Sequence, residues 1–167
     1  LGDALRAALD TAARAQFAKQ KDPQECVVLY IALGKKNQLQ ALCRATRSEK
    51  LASFLSQDFT TERWLSAARK NAYSLLSKQQ FQLAIAFFLL GGDLESAIKV
   101  CARQLGDLQL ALVLCRLQGS GGQEMLRETV CTELLPDAQA RGETWLCCVA
   151  HFLLSEPVQA LEALEPT

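Results

Sequence analysis

The sequence predicts an all-α chain, specifically an α-solenoid of short antiparallel helical hairpins. Three observations carry that expectation. Leu and Ala supply about a third of the 167 residues, while Val, Ile and Thr are scarce. Ala and straight-chain side chains lose little freedom in a helix and β-branched ones lose more, whereas sheets ask for the opposite mixture. Apolar residues recur at helical spacing in one segment after another. A short unit also repeats through the middle of the chain, with Gly and Asp at its joints.

The elements follow in order. Residues 3–20 are Ala-rich and amphipathic, which predicts a first helix. Asp22-Pro23 sets a capping carboxylate before a Pro at the first helical position, opening 24–33, and Gly34 ends it. In 37–46, Leu39, Leu42 and Cys43 share a face. Ser48 caps a third short helix with Leu51, Phe54 and Leu55 inward. Thr60 or Thr61 opens a longer one through Ser77, carrying Trp64, Leu65, Ala68, Ala72, Leu75 and Leu76.

The repeat comes next. Phe81, Leu94 and Leu108 each begin a unit, followed in register by Ala84, Ala97 and Ala111, then Ile85, Ile98 and Leu112, then Phe88, Cys101 and Cys115. Gly-Gly-Asp at 91–93, Gly-Asp at 106–107 and Gly119-Ser-Gly-Gly punctuate it. Gly ends a helix in the left-handed conformation and Asp caps the next one. The repeated Ala lets neighbouring helices approach closely, so stacked hairpins bury a core that no single hairpin buries. The predicted structural core is therefore Phe81, Ala84, Phe88, Leu94, Ala97, Cys101, Leu108, Ala111 and Cys115. Gly119–Gly122 reads as a flexible link. Beyond it, helices are expected at 124–135, 142–154 and 157–164, with Pro136-Asp137 breaking the first from the second.

The whole of 1–167 is expected to form one solenoid segment. The chain opens on Leu1 without an initiator Met and closes on Pro166-Thr167, which predicts a piece of a longer polypeptide. The charge-free runs 79–92 and 144–155 fall short of the ~20 apolar residues that cross a bilayer and read as buried helices. Seven Cys, an odd number scattered through helical segments, read as free thiols in a reducing compartment. Residues 1–122 hold sixteen Lys/Arg against ten Asp/Glu, and 123–167 hold two against eight, so a neutral chain has a basic part and an acidic end.

No catalytic pattern emerges. The single His, His151, shares a helical face with Cys147, beside Cys148 and with Cys131 elsewhere, but no paired Cys-x-x-Cys spacing completes a zinc set. Gly119-Ser-Gly-Gly lacks the Lys-Ser/Thr and the preceding strand of a phosphate loop. Glu124 and Glu128 read as surface carboxylates. The chain is thus expected to be no enzyme and to need no cofactor or metal. Two basic regions stand out, Arg63, Arg69, Lys70 and Lys78 on the one hand and Arg44, Arg47 and Lys50 on the other. The first is the candidate partner-binding face, set against the plainer reading of a solvated surface. Nucleic acid is disfavoured, because Trp64, Tyr73 and Phe81 fall at core positions and are not free to stack on bases.

The run Arg63-Trp64, Ala67-Ala68, Lys70-Asn71-Ala72, Leu75-Leu76, Lys78-Gln79 and Phe81 resembles the helical region of the DmX-like proteins. These are also called rabconnectins, and their yeast relative is the large subunit of the RAVE complex. Ala86-Phe87-Phe88-Leu89-Leu90, Ala97-Ile98, Val100-Cys101 and Asp107-Leu108-Gln109-Leu110-Ala111 continue the likeness. Upstream, Leu29-Tyr30-Ile31-Ala32-Leu33, Lys35-Lys36, Lys50, Phe54 and Asp58-Phe59 are similar too, so the resemblance spans roughly 22–117. It implies a piece of the α-solenoid that follows tandem β-propellers in a scaffold promoting vacuolar-type proton ATPase assembly. The implied partners are subunits of that ATPase and other scaffold subunits. The implied location is cytoplasmic, peripheral to endosomal, vacuolar or synaptic-vesicle membranes. The resemblance assigns no residue-level site. The alternative function is an α-solenoid of a vesicle-coat or ciliary-transport complex.

Overall fold

The computed structural model describes residues 2–164, apart from the side chain of Ser120. The chain ends on which the expectation of a longer polypeptide rests lie outside the described residues. As predicted, the protein is all-α, with no strand among the described residues. The helices are α1 (Gly2–Gln20), α2 (Pro23–Ala32), α3 (Lys36–Ala45), α4 (Glu49–Leu55), α5 (Glu62–Ser77), α6 (Phe81–Leu90), α7 (Leu94–Lys99), α8 (Leu108–Leu117), α9 (Ser120–Thr129), α10 (Leu135–Arg141), α11 (Thr144–Leu153) and α12 (Pro157–Glu162). Two π-helical turns, Val100–Leu105 and Val130–Leu134, prolong α7 and join α9 to α10. None of the helices is long and apolar enough to cross a membrane.

The helix starts obey the capping chemistry in the sequence. Asp22 Oδ1 accepts from Gln24 N–H at 2.9 Å with Pro23 in the first turn. Asp93 Oδ1 accepts from Ser96 N–H at 3.0 Å, and Asp107 Oδ1 from Leu110 N–H at 2.8 Å. Each takes up a backbone donor that the first turn of a helix leaves without a partner.

The helix ends reveal a finer period. Residues with positive φ stand at Lys21, Gly34 and Arg47, at Gln79 and Gly92, at Gly106 and Gly119, and at Gly142 and Ser155, thirteen residues apart within each group. Thirteen residues make one short helix plus a tight left-handed turn, so the period is that of a single helix, half a hairpin. At Lys21, Arg47, Gln79 and Ser155 a side chain occupies a conformation that costs an L-residue roughly 1–2 kcal/mol. Gln79→Gly is therefore expected to raise stability by about 1 kcal/mol, read as a later urea midpoint. A lower midpoint would show that the turn is not set by its left-handed residue.

The helices group into two compact units, residues 1–106 and 107–167. In the first, α6 is the hub. Its sequence FQLAIAFFLL is apolar almost all round, as a helix covered on several sides must be. α5 packs along it through a three-residue link, α2 lies against it, and α7 follows it. Ala84, Ile85 and Phe88 are fully buried, as are Ala68 and Ala72 of α5. Gly91 closes this packing, since a Cβ there would lie 2.6 Å from Arg69 Cγ and 3.2 Å from the Leu65 carbonyl oxygen. α1 packs on α2, and Asp10 bridges to Lys35 Nζ at 2.6 Å and Arg14 Nη2 at 2.8 Å. The hydrogen bond from Lys35 leads in holding the Asp10 carboxyl below its usual range.

Ala97 and Cys101 of the first unit and Ala111 and Cys115 of the second are also fully buried, while Phe81, Leu94 and Leu108 are half-buried. Tyr73 departs from the core position expected of it. It is 57% exposed and lays its ring edge-on to Phe88 at 5.0 Å, covering the core from outside.

In the second unit α8 packs on α9, α10 on α11, and α11 on α12. Three expectations need correction here. The Gly-rich stretch is not a flexible link. Only Gly119 turns the chain, α9 starts at Ser120, and Gly122 is buried against α8. A Cβ on Gly122 would fall 1.9 Å from the Cys115 carbonyl oxygen, so the missing side chain is what lets the backbones meet. Pro136 does not separate two helices either; it sits in the first turn of α10, directly after a π-helical turn. The wider turn gives room to a ring that would clash with the carbonyl four residues back in a regular helix. Finally, 144–155 is not a buried helix. Trp145 is 69% and Phe152 74% exposed, and only Ala150 and Leu154 of that stretch are buried.

Candidate functional site

The four residues of the predicted basic face have separate surroundings. Arg69 is a staple between α5 and α6. Its Nη1 donates to the Gly91 carbonyl at 2.8 Å and its Nη2 lies 2.6 Å from Glu62 Oε1. Arg63 holds its guanidinium 5.5 Å from the centre of the Trp64 ring. Lys70, seven residues on and hence on the same side of α5, is exposed. Lys78, at the end of α5, lines a groove together with Arg47 and Lys50 of the other basic region.

That groove is a cavity of about 730 Å³ bordered by α2, α4, α5 and α6. Its floor is apolar and built from Leu51, Phe54, Leu75, Leu83 and Phe87. Ring contacts connect the floor to its surroundings. Phe54 stacks on Phe87 with centroids 4.6 Å apart and planes at 15°, and meets Phe59 at 5.4 Å and the edge of Trp64 at 6.2 Å. Beyond Phe59, Lys36 donates to the Gln57 carbonyl at 2.8 Å while its ammonium sits 5.0 Å from the Phe59 ring centre. On the rim stand three cations and one carboxylate, Glu49. Arg14, Lys35 and Arg69 have carboxylate partners, but Arg47, Lys50 and Lys78 form no ion pair among the described residues. The arrangement can bind an anionic, partly apolar group.

The thiols divide by burial. Cys26, Cys43, Cys101 and Cys115 are buried, Cys147 and Cys148 half-buried, and Cys131 exposed. Burial pushes the Cys26 and Cys43 thiols up to about 11, and raises that of Cys115. An unfolded thiol ionises near 9, so below that pH both states keep the proton and stability is unaffected. Between 9 and 11 the unfolded chain releases protons that the native chain retains, and stability falls. The urea midpoint is expected to drop from pH 8 to pH 10, and to drop less in a Cys26→Ala/Cys43→Ala variant. Equal slopes in the two proteins would contradict this assignment.

His151 does not meet a set of thiols. Its Nδ1 lies 3.0 Å from Glu156 Oε2, and the other oxygen of that carboxylate is 3.8 Å from Arg127 Nη2. No group of three or more His, Cys, Asp or Glu side chains converges among the described residues.

A family model described as RAVE protein 1 C terminal matches residues 2–166. The chain belongs to this family. The match extends well beyond the 22–117 stretch in which the likeness is legible by eye. DmX-like protein 1 of Mus musculus is 38% identical over 173 residues, covering 96% of this chain and 6% of that protein. The Homo sapiens protein of the same name is 44% identical over 116 residues, covering 70% of this chain and 4% of its own length. Regulator of V-ATPase in vacuolar membrane protein 1 of Saccharomyces cerevisiae is 33% identical over 158 residues, which is 91% of this chain and 12% of that protein. The chain therefore spans a small fraction of the relatives it matches.

Proposed function

We propose that this RAVE-family chain is a non-catalytic scaffold segment that takes part in assembling and reassembling the vacuolar-type proton ATPase by binding its subunits. One observation carries the reading. The family match runs over 2–166, and the family includes a yeast relative whose name declares it a regulator of the V-ATPase in the vacuolar membrane. A string of short helices suits such a role, since successive hairpins offer much exposed surface for their length, as in a solenoid. The partners are proton-ATPase subunits and other scaffold subunits of the same complex. The site of action is the cytoplasmic surface of the membranes that carry the pump.

On this reading the partner-facing cations of α5 are Arg63 and Lys70. Arg69 acts indirectly, by fixing α5 to α6. The test is direct retention: the 167-residue chain is immobilised and challenged with the purified peripheral sector of the proton ATPase. Retention is expected, and Arg63→Glu/Lys70→Glu is expected to weaken it several-fold while Gln38→Glu on α3 does not. Failure of the chain to retain any subunit would refute the proposal.

A further inference from the structure

We propose that the groove bordered by α2, α4, α5 and α6 is a docking site for an acidic amphipathic peptide segment of a partner protein. The peptide seats apolar side chains on the floor and sets carboxylates against Arg47, Lys50 and Lys78. This goes beyond the proton-ATPase reading and stands without it, since it rests on the chemistry of the groove.

Charge complementarity identifies the occupant. The groove sets Lys78, from the end of α5, beside Arg47 of the α3–α4 turn and Lys50 of α4, against the single carboxylate of Glu49. Elsewhere in this unit Lys35 pairs with Asp10 and Arg69 with Glu62. These three have no such partner among the described residues and surround an apolar depression. A small anion would leave the floor uncovered. A flat bilayer surface would engage the rim cations without filling a recess between four helices. A peptide with apolar anchors one turn apart and acidic residues beside them satisfies both floor and rim. A volume of about 730 Å³ is enough for a few such anchors.

The test is fluorescence anisotropy with the whole 167-residue chain. The probe is a labelled peptide of about fourteen residues with Leu or Phe at i, i+4 and i+7 and Glu at the flanking positions; the control carries Lys in place of each Glu. The acidic peptide is expected to bind with strong salt dependence, and the basic control is not. Arg47→Glu/Lys50→Glu/Lys78→Glu is expected to weaken the acidic peptide at least about tenfold. All three residues are exposed, so the helical circular dichroism should be retained. The same variant should gain affinity for the Lys-bearing peptide, which no folding defect would produce. Equal binding of both peptides by the unaltered chain, or no change in the triple variant, would overturn the proposal. So would loss in that variant of flotation with phosphatidylserine vesicles by a chain that ignores both peptides. Retention of the proton-ATPase sector by the triple variant would leave the proposed function standing and locate it elsewhere.

Discussion

Phe88→Ala is expected to destabilise the first unit by about 3–5 kcal/mol, read by urea unfolding followed at far-ultraviolet circular dichroism. Phe88 is the largest fully buried side chain named in the core, on the helix that α2 and α5 both cover. Removing the ring loses its transfer free energy and leaves a cavity that two packed helices cannot fully close. Against a total stability of order 5–15 kcal/mol, the folded-to-unfolded ratio falls by about two or more decades. Phe152 supplies the contrast at identical chemistry. It is 74% exposed, so Phe152→Ala is expected to change stability by no more than about 0.5 kcal/mol. Similar costs at the two positions would show that α6 is not the hub of its unit.

Gly122→Ala is expected to cost about 3 kcal/mol or more in the second unit, although Ala is the better helix former. The added methyl would fall 1.9 Å from the Cys115 carbonyl oxygen and 2.9 Å from its carbon. The obstacle is backbone, which has no rotamer to adopt, so α9 and α8 must separate. One residue earlier the same substitution has the opposite sign. Nothing lies within 4 Å of a Cβ on Gly121, so Gly121→Ala is expected to stabilise α9 by about 0.5–1 kcal/mol. The pair distinguishes close packing from flexibility, because a loose link would be stabilised or left unchanged by both. Thermal unfolding of the two variants beside the parent measures it.

Much of the fold was legible because its signals are local. Asp22-Pro23, Asp93 and Asp107 cap helices by hydrogen bonds within three residues, and the Ala84, Ala97, Ala111 register follows from a spacing written in the chain. The thirteen-residue turn period was only partly visible. Lys21, Arg47, Gln79 and Ser155 adopt the left-handed conformation without the glycine that announces it. Gly119–Gly122 misled for the opposite reason: glycine marks both freedom and close approach, and only the neighbouring helix tells which. Trp145 and Phe152 belong to an apolar helix that the described structure leaves open on one side, and composition cannot report which side is covered.

The candidate site was least legible. In the sequence Arg47 and Lys50 form one basic cluster and Lys78 belongs to another, and only the folding of α4 against the α5–α6 pair sets them around one groove. Arg69 looked like a member of a binding face because its staple to Gly91 is a contact across twenty-two residues.

Hydrogen exchange of the 167-residue chain, alone and with the purified peripheral sector of the proton ATPase, tests the functional account most directly. Binding by exposed helix faces predicts slowed exchange confined to surface segments of the chain, with the already protected core of α6 unaltered. Identical exchange along every peptide in the presence of saturating sector would contradict it.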